Sequence, residues 1–354
     1  MDHGGIQGSS AAPAAMWNNL GCFMLSNSAS TFQNSVGSHD GRWNATDKYW
    51  RQAASAGGWR VGLPGGKFTG DTFWIGFSYY RISGGATVGD MFGIHRGTST
   101  WNGVGDTAST VYGVFRLNWV SGNSFQVVDS AGTSIGSAFD VSEDEWHWIA
   151  VEVDAVGAGT ISVSLDGNPK LTAVSGDFAG SSATGDLYHL CVDYGKGATS
   201  YDDIIMGDGA GSVNNGLPNE VRIETLIPTS DDSLTGFTST TYDKVDDFDL
   251  SDDDTTYSTA GTAADQYTLA HGSVGFTPDD IMACQLITKA RKDDAGEIVL
   301  RPRIDSGGTY YNADDFYLAI DYTTQAFIWE TDPDTAVAWT EAAANAVKPS
   351  GIIL

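Results

Sequence analysis

The stretch EWHWIAVEVDAVGAGTISVSLDG, residues 145–167, constrains the fold more than any other. In TISVSLDG, Ile161, Val163 and Leu165 alternate with Ser162, Ser164 and Asp166. That spacing puts one apolar and one polar face on an extended chain, and no helix would keep it together. Further strand patterns occur in DTFWIGFSYYRI (71–82), MFGIHRG (91–97), VYGVFRLNWV (111–120), SFQVVDS (124–130), DLYHLCVD (186–193) and YDDIIMGD (201–208). Between them lie SGG, SGN, SAG, GAG and DGN, which suit tight turns. VDSAGTSIG predicts a hairpin around Ala131 and Gly132. Short strands at close spacing, without helical interludes, predict an antiparallel sandwich or jelly roll.

A second domain is expected after it. The 354-residue length suits two domains, and 209–219, GAGSVNNGLPN, reads as linker. Nine of the 11 tryptophans precede that stretch, a composition shift that supports a boundary there. The expected organisation is a flexible N-terminal arm at 1–16, a first sandwich at 17–210, a linker at 211–219 and an acidic second sandwich at 220–354. Strand patterns in the second part are VRIETLIPTS (221–230), DQYTLA (265–270), IMACQLITKARK (281–292), EIVLRPRID (297–305) and FYLAIDYTTQAFIWE (316–330). KDDAG at 292–296 predicts a tight hairpin between two of them, and Gly307–Gly308 a further turn. The alanine-rich DTAVAWTEAAANAVK (334–348) predicts a helix stopped by Pro349 to Gly351, with GIIL as a closing strand.

The formal net charge of −27 opposes binding to nucleic-acid phosphates or an anionic membrane, and suits a particle surface or cation sites. The acids are uneven. Residues 211–354 hold 25 acidic and 8 basic side chains, against 20 and 10 in residues 1–210. Cys22, Cys191 and Cys284 lie far apart and form no CxxC, which predicts buried free thiols and a reduced compartment of synthesis. Residues 1–16 lack the basic and apolar segments of a secretory signal, and no 18-residue apolar stretch occurs.

The Trp-rich strand leading through an acidic turn to LDG, in DEWHWIAVEVDAVGAGTISVSLDGNPK (144–170), with YDDI (201–204) further on, resembles the concanavalin-like or laminin G-like jelly roll. VRIETLIPTSDD, DDDTTYSTA, ARKDDAG, SGGTYY and WETDPDTAVAWTEAAANAVKPSGI resemble a module of tailed-bacteriophage structural proteins that often follows such a domain. The resemblance implies an all-β chain of two antiparallel β-sandwiches with a short C-terminal helix. It implies a non-enzymatic virion protein made in the host bacterial cytoplasm and displayed on the particle surface, as capsid decoration, head spike or fibre, or tail fibre. Implied partners are other virion proteins and further copies of the chain, trimers being common among fibres and spikes. It also implies that an aspartate in the YDDI strand, Asp202 or Asp203, ties loops together or helps hold Ca²⁺.

Weighed residue by residue, the chemistry is sparse. Calcium needs six to eight oxygens, and adjacent residues of a flat strand point to opposite faces, so Asp202 and Asp203 would not both ligate from one. DKVDDFDLSDDD (243–254) lacks the glycine and terminal glutamate of an EF-hand loop and reads as a solvated acidic loop. A polysaccharide depolymerase is the enzymatic rival, because laminarinases share the architecture. They present carboxylates as Glu-x-Asp-x-Glu, which does not occur here; Glu143, Asp144 and Glu145 are consecutive and loop-like. His147 and His189 read as strand residues without a catalytic partner. Trp101, in the polar stretch STWNGVG, is the best loop tryptophan for stacking on a sugar, so the main alternative is a carbohydrate-binding adsorption protein that takes a host-surface glycan.

Overall fold

The computed structural model describes residues 23–27, 31–34, 42–43, 48–52, 59–62, 72–83, 89–96, 112–121, 123–154, 159–178, 188–192, 199–208, 213–238, 241–246 and 255–354. The chain divides into two compact units, Met1–Ile223 and Glu224–Leu354. The fold is all-β, with antiparallel sheets and one short helix.

The first unit is two seven-stranded sheets. One runs β1 (Phe23–Asn27), β4 (Trp59–Gly62), β13 (Tyr188–Val192), β6 (Gly89–Arg96), β7 (Tyr112–Ser121), β8 (Ser124–Asp129) and β9 (Ser134–Asp140). The other runs β12 (Asn168–Ser175), β11 (Thr160–Leu165), β10 (Trp146–Asp154), β5 (Thr72–Arg81), β14 (Thr199–Asp208), β3 (Lys48–Gln52) and β2 (Thr31–Asn34). The expected alternation decides which side chains meet. Phe73, Ile75, Phe77 and Tyr79 of β5 and Ile149, Val151 and Val153 of β10 face Phe115, Leu117, Trp119 and Phe125 of the opposite sheet in one core. The 130–133 turn joins β8 to β9 as expected, with Gly132 at φ 84°.

The far face of the second sheet is also covered. Trp74 and Trp148 point away from the core, yet they are only 5% and 0% exposed. Residues 213–223 lie across them. The Trp74 indole donates to the Asn214 carbonyl at 2.7 Å, and the Trp148 indole to that of Pro218 at 3.2 Å. The described part of the stretch that reads as linker in composition is therefore bonded to the first unit. Two glycines make room for the indoles. A Cβ on Gly76 would sit 2.3 Å from the Trp148 ring, and one on Gly207 would sit 2.3 Å from the Trp74 ring.

The second unit has a sheet ordered β15 (Pro228–Thr235), β16 (Gln266–His271), β22 (Lys348–Ile353), β18 (Val299–Ser306) and β19 (Thr309–Asn312), with β20 (Phe316–Tyr317) also on β18. A two-stranded ribbon, β17 (Cys284–Ala290) and β21 (Thr323–Trp329), accompanies it. The Gly307–Gly308 turn joins β18 to β19 as expected, with φ of 62° and 85°. Two expectations fail. KDDAG does not close a hairpin, because β17 pairs with β21 while β18 pairs with β19, β20 and β22. The ribbon instead turns Cys284, Leu286 and Trp329 onto a small core of Ile304, Trp339 and Val347. The helix is far shorter than 334–348. Only α1 (Glu341–Ala346) forms, capped by the Thr340 hydroxyl, which accepts from Ala343 N. Upstream, Asp332 draws 332–337 into a turn, and Trp339 is anchored by its indole bond to the Trp329 carbonyl at 2.7 Å. Pro349 and Gly351 do not stop a helix; they lie in β22, inside the sheet.

The tryptophan-over-glycine contacts predict that Gly76→Ala and Gly207→Ala each destabilise the first unit by about 1–3 kcal/mol. Gly216→Ala, which has open space around it, should change stability by less than about 0.5 kcal/mol. Urea unfolding of the three variants measures the difference.

Candidate functional site

Asp202 and Asp203 occupy the two positions between core-facing Tyr201 and core-facing Ile204. A bulge produces this. Asp202 pairs with Ser78 and Ile205 with Gly76, so β14 carries one more residue than β5 across the same span. Asp203 takes φ 47° to accommodate it. The flat-strand expectation, that these neighbours face opposite sides, is corrected by that extra residue. Ile204 and Met206 still reach the same core.

Asp203 is fully buried. Its Oδ2 accepts from the Trp43 indole at 2.8 Å and the Ser78 hydroxyl at 3.0 Å, and its Oδ1 from Ile223 N at 3.0 Å. Arg42 lies alongside. It bonds Ser78 Oγ and the Glu220 carboxylate, and its guanidinium sits 4.7 Å from the Trp43 ring centre and 5.5 Å from that of Trp148. Arg222 approaches the Trp43 ring at 5.5 Å. Burial pushes the Asp203 carboxyl up to about 6, against the pull of Ile223 N, the Trp43 indole, Arg42 and Ser78. The Asp202 carboxylate accepts from Asp203 N at 2.9 Å and is 2% exposed. Both Asp203 oxygens face N–H and O–H donors, where a calcium would need oxygens that donate electron pairs to it. Among the described residues, no group of three or more His, Cys, Asp or Glu is placed to hold a metal.

A second polar constellation lies at the rim of the core, and inspection of the sequence missed it. His147 Nδ1 meets Asp166 Oδ2 at 2.7 Å, and Nε2 meets Ser142 Oγ at 3.0 Å. Asp166 Oδ1 accepts from Trp148 N at 2.7 Å. Burial acts to raise the Asp166 carboxyl, but the His147 and Trp148 hydrogen bonds outweigh it and hold it below its ordinary value. The ionised carboxylate only accepts, so Nδ1 carries the imidazole proton. The order of atoms is that of an acyl-transfer triad. The surroundings differ, because Ser142 Oγ also bonds the Glu145 carboxylate. An anion there opposes the negative charge that develops during acyl transfer. The cluster instead pins the Asp166–Gly167 turn (φ 50° and 73°) to β10. The strand register held the signal: antiparallel pairing of Ile149 with Leu165 places the LDG aspartate beside His147 and Trp148.

In the second unit, acids again serve the backbone. Asp265 accepts from Gly261 N and Thr262 N, both at 2.8 Å, and these bonds hold its carboxyl below its ordinary value. Asp332 accepts from Ser306 Oγ at 2.7 Å, Thr335 Oγ1 at 2.9 Å and Asp334 N at 3.1 Å. Those bonds outweigh its burial, and its carboxyl is lowered. Cys284 faces the small core, and burial pushes its thiol up to about 12, so it is not a nucleophile. Trp101, the 1–16 arm and residues 247–254 lie outside the described residues. Among the described residues, no helix is long and apolar enough to cross a membrane.

No family model matches the sequence, and neither does any curated protein. Several solved structures are similar. The carbohydrate esterase vb_24B_21 of Shiga toxin-encoding bacteriophage phi24B aligns at 14% identity and TM-score 0.34, over 52% of this chain and 88% of that one. The endo-β-1,4-glucuronan lyase of Trichoderma reesei aligns at 12% and 0.36, over 51% and 87%. The Emp46p carbohydrate recognition domain aligns at 6% and 0.35, over 51% and 87%. At these scores the likenesses assign no residue a role.

Asp203 gives a signed pH prediction. Its carboxyl is raised from 3.8 to about 6 in the folded chain. Its contribution to stability is therefore full below 3.8 and is lost as pH rises through about 6, at ~1.4 kcal/mol per unit of pKa difference. Urea unfolding of the first unit at pH 5 and pH 7 should show it weaker at pH 7, and Asp203→Asn should flatten that difference. Asp265 and Asp332, both lowered, predict the opposite for the second unit: stability held above 3.8 and lost as pH falls through their depressed values.

Proposed function

We propose that this chain is a non-enzymatic structural protein of a tailed-bacteriophage particle. It is made in the bacterial cytoplasm and displayed on the virion surface as capsid decoration, spike or fibre. Its work is contact: with other virion proteins and with further copies of itself. One observation carries the reading. The best-ordered carboxylates, Asp203, Asp265 and Asp332, spend their oxygens on backbone N–H and hydroxyl donors, so their charge goes into holding loops in place. Catalytic carboxylates need an open face toward substrate. The resemblance of residues 144–170 and of the second unit to phage modules supports the same reading, and the acidic composition suits a surface that repels nucleic acid and anionic membrane.

The test is particle composition. Mass spectrometry of purified virions should find the chain at a fixed copy number, and antibody labelling should place it outside the shell or tail tube. Absence from purified particles would overturn the proposal. So would shortening of host capsule or lipopolysaccharide chains by the purified protein.

A further inference from the structure

Every large apolar side chain that is exposed among the described residues belongs to the second unit. Several are scattered singly, which is ordinary for a surface. The ribbon of β17 and β21 is different. Its register pairs Gln285 with Ile328, Ile287 with Ala326 and Lys289 with Thr324, so these six share one face. The opposite face, carrying Cys284, Leu286 and Trp329, is spent on the core. On the open face, Ile287 is 40% and Ile328 54% exposed, and they are diagonal neighbours across the two strands. At the other end of that face stand Lys289 and Arg291, whose cationic groups lie 5.3 and 5.1 Å from the centre of the Tyr322 ring.

The charges identify what fits there. Residues 224–354 hold 24 acidic and 7 basic side chains. An apolar patch ending in two cations is therefore an exception on a strongly anionic unit, and the surface complementary to it is the rest of that unit. Two chains of net charge −27 repel each other at long range. A contact that sets Lys289 and Arg291 of one copy against carboxylates of the next offsets that repulsion locally, while Ile287 and Ile328 leave water.

We infer that the open face of the β17–β21 ribbon, centred on Ile287, Ile328, Lys289 and Arg291, is a contact surface for the acidic second unit of another copy of this chain. The inference rests on the assembly reading above and gives it a surface and a partner.

Sedimentation of the intact protein over a concentration series tests it. The wild-type chain should self-associate. The pair Ile287→Asp and Ile328→Asp should weaken association at least tenfold. Because aspartate is poor in strands, Ile287→Thr with Ile328→Thr is the control: it keeps β-branching, so the fold should persist by circular dichroism while association still weakens. Lys289→Glu with Arg291→Glu should weaken association more at low than at high salt. A wild-type chain that stays monomeric at about 100 μM, where micromolar association would be evident, overturns the inference. So does association that all three variant pairs leave intact, or a ribbon face that binds a different acidic protein while the chain remains a monomer. The two readings fail separately: a self-associating chain absent from virions sinks only the virion assignment, and a virion protein that is monomeric in solution sinks only this one.

Discussion

A carboxylate without exposed surface holds one face of the first sandwich shut. Burying an isolated charge is costly, and Asp203 is tolerated because donors from three directions converge on it. Trp43, Ser78 and Ile223 belong to segments far apart in sequence, so the same two oxygens that need donors also join those segments. The bulge in β14 makes this arrangement reachable by placing the side chain among them. Once Ile223 is fixed, residues 213–223 have little choice but to run over Trp74 and Trp148. Those indoles lie flat because Gly76 and Gly207 present no Cβ to them. The result is a sheet buried on both faces at its centre, which explains why β5 is apolar at nearly every position.

The second unit is held differently. Its cores are small: Leu300, Phe316 and Leu318 in one, and Ile304, Trp339 and Val347 in the other. Polar ties make up part of the difference. Arg303 bonds Ser350 Oγ at 3.0 Å and Gln266 Oε1 at 2.7 Å and stacks on Tyr310, and Arg301 grips Asp315 with two bonds at 2.6 and 3.0 Å. With so many acids, the few arginines sit where they link strands. A unit built this way leaves apolar side chains outside, which is tolerable in a chain meant to be packed against neighbours.

The strands were legible because alternation is a property of the local sequence. Ile161, Val163 and Leu165 in β11 needed no tertiary information to be placed on one face. What resisted reading was whatever depends on pairing. One extra residue at Asp203 shifts the parity of everything after it, and no residue type in YDDI announces that. The 213–223 segment looks like linker because its glycines and asparagines have turn chemistry, yet the indoles it must satisfy lie 70 and 140 positions away. In 334–348 the alanines signal helix correctly only from Glu341 onward; Asp332 and Trp339 prevail upstream through contacts with Ser306 and Trp329. His147 and Asp166 could have been joined, given the register of β10 and β11. The phage resemblance lies in stretches of sequence and assigns no chemistry to any of these groups, which is why the functional reading rests on what the carboxylates are bonded to.

That reading turns on Asp203 acting as a tie that closes the outer sheet face, and hydrogen exchange at Ile223 in the intact chain addresses it most directly. The amide lies at the unit boundary and next to exposed Glu220, so only the bond to the buried carboxylate would protect it. The account predicts exchange as slow as that of β5 and β10, accelerating toward that of an exposed loop in Asp203→Ala. Fast exchange of Ile223 in the wild-type protein would contradict it.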